Sequence, residues 1–68
     1  MNEKEVDNRR LIDEETAQAI AIINVVRGAV FAVSEGIYKS RDQQEILASC
    51  ENQLAAAADH LGKVRDIL

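Results

Sequence analysis

The sequence predicts an all-α fold: an antiparallel two-helix hairpin that pairs with a second copy as a four-helix bundle. Three observations carry this. Apolar residues recur at helical spacing in two runs that match layer by layer if the chain reverses near Ser40. The composition has ten alanines, no proline and only two aromatic residues, Phe31 and Tyr38, which favours helix over strand. A chain of 68 residues is also too short to bury much of its surface alone, so a partner is expected to complete its core.

The first apolar run is Thr16, Ala19, Ile23, Val26, Val30, Val33 and Ile37. The second is Leu47, Cys50, Leu54, Ala57, Leu61, Val64 and Leu68. Both step alternately by three and four, the spacing of a coiled-coil seam. In the expected register Ile37 faces Leu47, Val30 faces Leu54, Ile23 faces Leu61 and Thr16 faces Leu68. From Ile23 onward these residues make up the expected hairpin core.

Residues 1–12 read as a polar lead-in, either partly disordered or a helical extension. Asn2 with Glu5 is a candidate capping box, and Asp13, followed by Glu14 and Glu15, is the stronger N-cap. The hairpin itself spans 13–68. Helix 1 is expected over about 14–38, a turn over about 39–41, and helix 2 over about 41–67, opened by an S-x-x-Q capping box at Ser40 and Gln43. So short a connection makes the helices antiparallel neighbours.

Helix 2 has a wholly polar back in Asn52, Asp59 and Asp66, whereas the equivalent column of helix 1 is Ala21, Gly28 and Glu35. Helix 1 carries a second stepped seam, Ile22, Val25, Ala29, Ala32 and Gly36, about 100° from the first. A hairpin cannot cover both seams, so the second is the expected dimer interface, with helix 1 packed on its symmetry mate.

Catalytic, cofactor and metal constellations are not found. Cys50 and His60 lie about 15 Å apart along one helix, too far for a nucleophile–base pair. One cysteine and one histidine do not supply the usual four ligands of a structural zinc site. No phosphate-binding glycine loop or EF-hand spacing occurs. The expected role is therefore non-enzymatic. A net charge of −4 argues against nucleic acid as a partner. The apolar stretch from Ala17 to Val33 is interrupted by Gln18, Asn24 and Arg27 and reads as the buried helix of a soluble, cytoplasmic protein rather than a membrane span. The lone cysteine fits a reducing compartment.

Three residues stand out as candidate partner contacts. Arg27 is the only cation between Arg10 and Lys39. Phe31 and Tyr38 share a column with Asn24, and aromatic side chains dominate binding hot spots. With its hairpin length, heptad layers and alanine-rich core, the chain resembles the plasmid-encoded Rop regulators, and by its shortness the helical-hairpin co-chaperones of type III secretion. The first resemblance implies a homodimeric bundle that regulates through nucleic acid, the second a subunit of a hetero-oligomeric chaperone. Helix 1 lacks the basic outer face that RNA recognition requires. The reading preferred here is an adaptor or regulator that binds another protein.

Overall fold

In a computed structural model, which describes residues 3–68, the chain is two α-helices packed against each other as a hairpin. Helix α1 spans Glu3–Ser34 and helix α2 spans Ser40–Ile67. The hairpin is a thin rod of 54 × 16 × 11 Å.

Helix α1 starts earlier and ends earlier than the sequence suggests. Glu3 and Glu5 lie in its first turn, where acidic side chains complement the helix dipole. Asp13 is therefore interior and caps nothing; Asn2 lies outside the described residues. The stop is a glycine device. Gly36 has φ 74°, a left-handed conformation that non-glycine residues adopt only at a cost. Its N–H bonds to the Val33 carbonyl at 3.0 Å, and the N–H of Ile37 bonds to the Ala32 carbonyl at 3.4 Å. This pair of bonds is a Schellman motif, which satisfies the last carbonyls of the helix. Gly36 thus ends α1, where the sequence reading had kept it within helix 1 as part of a dimer seam.

Helix α2 begins at Ser40 without the predicted capping box. Its N-cap is Lys39, which makes no side-chain cap bond, and Gln43 instead donates from Nε2 to the Tyr38 carbonyl at 2.9 Å. Tyr38 consequently belongs to the turn and not to a helical column with Phe31.

Moving the turn from Ser40 to Gly36 shifts the register. Ile23 was expected to face Leu61; in the structure it is Glu15, eight residues earlier, that contacts His60. The added overlap brings the end of α2 toward Asn8 and Ile12, both partly covered, while residues 3–7 stay exposed.

The facing columns change as well. Ala19, Val26, Cys50 and Ala57 form the buried core, with Ala19 only 1% and Ala57 only 3% exposed. Taking this column as heptad position a, the second facing column, position d, holds Glu15, Ile22 and Ala29 on α1 and Ile46, Gln53, His60 and Ile67 on α2, all partly covered. Val33 and Val64 extend the a column at part burial. The other members of the expected hairpin core, Ile23, Val30, Ile37, Leu47, Leu54, Leu61 and Leu68, are exposed. The reason is geometric. Apolar residues are spread over columns a, d and e of each helix, and one neighbouring helix covers only two of these columns. The alanines at 19, 29 and 57 let the backbones approach through a and d, which leaves the third column, e, outside.

Gly28, inside α1, and Gly36, in the turn, respond oppositely to alanine. Gly28 is helical and a Cβ there would meet nothing within 4 Å. Gly28→Ala is expected to stabilise the chain by up to about 1 kcal/mol, whereas Gly36→Ala should destabilise it by about 1–2 kcal/mol through its positive φ. Urea midpoints of the two variants check this.

Candidate docking face

In an antiparallel pair, equivalent heptad positions of the two helices fall on the same flank. The e columns of both helices therefore form one face of the rod: Ile23 and Val30 from α1, and Leu47, Leu54 and Leu61 from α2, with Leu68 at the open end. Leu54 and Leu61 are each 46% exposed. The opposite flank, position g, holds Leu11, Gln18, Val25 and Ala32 on α1 but only Ser49, Ala56 and Lys63 on α2, with Leu11 and Val25 exposed. The e flank, apolar on both helices, is thus the greasier of the two.

The residues expected at a separate dimer seam are divided between the α1–α2 contact, the g flank and the turn. Ile22, Ala29 and Ala32 are partly covered within the hairpin, Val25 is exposed on the g flank, and Gly36 sits in the turn. Arg27 and Phe31 lie on the outer side of α1, with Phe31 64% exposed. The missing side chain of Gly28 leaves an open depression there, lined by Asn24, Arg27, Val30 and Phe31. Arg27 makes no ion pair among the described residues and lies level with the turn around Cys50, not with Ala57 as the expected register had it.

Among the described residues, a polar cluster between the helices joins Glu15, His60 and Lys63. His60 Nδ1 contacts Glu15 Oε2, and Lys63 Nζ lies 3.9 Å from Glu15 Oε1. The Glu15 side chain is 19% exposed, so the cluster sits at the edge of the core rather than in water. The hydrogen bond from His60 holds the Glu15 carboxyl below its ordinary value, with help from the charge of Lys63 and of the ring, while partial burial opposes this. A carboxyl with a lowered folded-state pKa adds stability that is fully present above its unfolded value of about 4.5 and is lost as pH falls through the lowered value. Glu15→Gln should therefore flatten the fall in thermal midpoint expected of the wild type on acidification below pH 4.5.

Cys50 is buried in the a column and has no disulfide partner. No group of three or more His, Cys, Asp or Glu residues that could hold a metal occurs among the described residues. By length and composition α1 is apolar enough to cross a membrane, and only 11% of its most apolar window is buried in the hairpin; the core helix of a soluble protein passes the same test. No protein-family model, no curated protein and no solved structure matches the chain.

Proposed function

We propose that the chain is a non-enzymatic protein-interaction module that homodimerises through its e flank into a four-helix bundle and, so assembled, binds another protein as an adaptor or regulator in the cytoplasm. The observation that supports this reading is the exposure of Ile23, Val30, Leu47, Leu54 and Leu61 from both helices along one flank. In a four-helix bundle each helix meets two neighbours, and its a and e columns face the centre. The stripe of threes and fours evident in the sequence is this a/e stripe. Phe31 lies outside it and stays available for a second protein.

Sedimentation equilibrium over a wide concentration range, with helicity followed in parallel, tests the reading. A helical dimer supports it. A helical monomer at all concentrations overturns it. Phe31→Ala should leave both association and helicity unchanged to within about 0.5 kcal/mol, as expected of an exposed outer side chain.

The length and composition of α1 favour a second reading, in which a lipid bilayer covers the apolar helix. Flotation of the purified chain with phosphatidylcholine vesicles tests it; recovery in the dense fraction removes it.

A further inference from the structure

We infer that the occupant of the e flank is a second copy of this chain docked with its turn at the same end, held in register by rim pairs between Arg27 and Glu51 and between Asp13 and Arg65 of opposite copies. The inference rests on the homodimeric reading above and adds the orientation to it.

The exposed area fits a partner of this size. The hairpin exposes 5328 Å². A folded protein of twice its 7.5 kDa mass exposes about 7,000 Å². Two hairpins reach that value by burying about 3,600 Å² between them, inside the range of about 2,000–5,000 Å² that obligate homodimers use.

Charge and shape select the orientation. Next to the e column, at its outer edge, lies position b: Asp13, Ile20 and Arg27 on α1, and Arg65, Ala58 and Glu51 on α2. Arg27 and Glu51 are exposed, and neither has an ion-pair partner within the hairpin among the described residues. Arg27 stands to Glu51, and Asp13 to Arg65, at the same axial offset as Glu15 to Lys63, whose charged atoms are 3.9 Å apart. A twofold axis parallel to the helices keeps every residue at its own level and sets α1 against α2 of the second copy. Arg27 then meets Glu51, Asp13 meets Arg65, and Ile20 lies against Ala58. In the same register Ile23 packs on Leu54, Val30 on Leu47, and Thr16 on Leu61, so each α1 residue finds a leucine.

With the turns at opposite ends, α1 faces α1 and the charges pair differently, Asp13 with Arg27 and Glu51 with Arg65. That shift puts Val30 opposite Arg9 and Ile23 opposite Thr16, so the apolar columns of α1 lose their match. Only the same-end arrangement satisfies the charges and the apolar columns together.

The two arrangements give opposite results in a charge exchange. Arg27→Glu and Glu51→Arg should each weaken dimerisation about tenfold at low salt, because symmetry repeats each repulsion. The double variant should recover wild-type affinity. An independent readout is spin labelling at Lys39→Cys in a Cys50→Ala background. Label separation near two helix spacings, about 20 Å, supports the same-end dimer, whereas a separation near the 54 Å rod length overturns it. A double variant weaker than either single one, or charge variants without effect on a dimer that still forms, also overturns the orientation but leaves the homodimer standing. A wild-type chain that stays monomeric overturns both.

Discussion

Replacing Leu54 and Leu61 together with glutamate is expected to weaken self-association by at least about 100-fold, because four carboxylates would enter one apolar interface with no partner to pair them. Both leucines are half exposed in the hairpin, so the substitutions leave the α1–α2 contact intact. Helicity should nonetheless fall. A two-helix hairpin with four buried residues offsets little of the ordering entropy of its chain, about 1.5 kcal/mol per residue, without the burial a second hairpin adds. The control is Ala56→Glu, on the opposite flank of the same helix. It should change neither the dissociation constant nor the helicity beyond about 0.5 kcal/mol. Sedimentation equilibrium and circular dichroism on both variants decide the matter. If the Ala56 variant dissociates and the leucine variant does not, the docking face has been assigned to the wrong flank.

Much of the fold was legible because it depends on a period. The three-four stepping and the alanine content establish two long helices, and they do pack against each other. The register was not legible, because it hangs on one glycine. Within an apolar run Gly36 reads as a small interface residue, yet the sequence Ser34-Glu35-Gly36-Ile37 also carries the signature of a Schellman stop, with glycine at C′ and an apolar residue after it. Weighting that signature over the run of apolar residues would have placed the turn correctly, and with it the contact between Glu15 and His60.

The choice of facing columns was ambiguous for a different reason. Columns a, d and e are all apolar over much of both helices, and periodicity alone does not say which two face the neighbour. The polar members of column d could have settled it. Glu15, Gln53 and His60 share that column, and in the corrected register Glu15 and His60 come level. An acid and a base brought level on facing columns favour rotating the helices toward each other on that side. The same ambiguity hid the candidate site. Residues taken as the hairpin core, Leu47, Leu54 and Leu61, are the exposed face, and Arg27 acquires its significance from Glu51, a residue that stood out for nothing in the sequence.

The tightest place in the hairpin gives the second large effect. Ala57→Leu is expected to destabilise the chain by about 1–3 kcal/mol, and in a chain this small that is enough to unfold a large fraction of it. Ala57 is 3% exposed and Ala19 is 1% exposed, on facing columns one turn from the Glu15–His60 contact, so little room is left around either methyl group. Three added carbons have no cavity to enter and must push α1 and α2 apart. The displacement should reach the Glu15–His60 contact, one turn away on each helix. Two measurements separate this from a mere loss of helix propensity, since leucine is itself a good helix former. The thermal midpoint should fall, and its dependence on pH near 4.5 should fade as Glu15 loses the partner that lowers its pKa. Ala55→Leu, at an exposed position of the same helix, should do neither. If Ala57→Leu raises the midpoint instead, the a column has room that a 3% exposure does not suggest, and the close approach of the two helices at their alanines is not what sets the choice of facing columns.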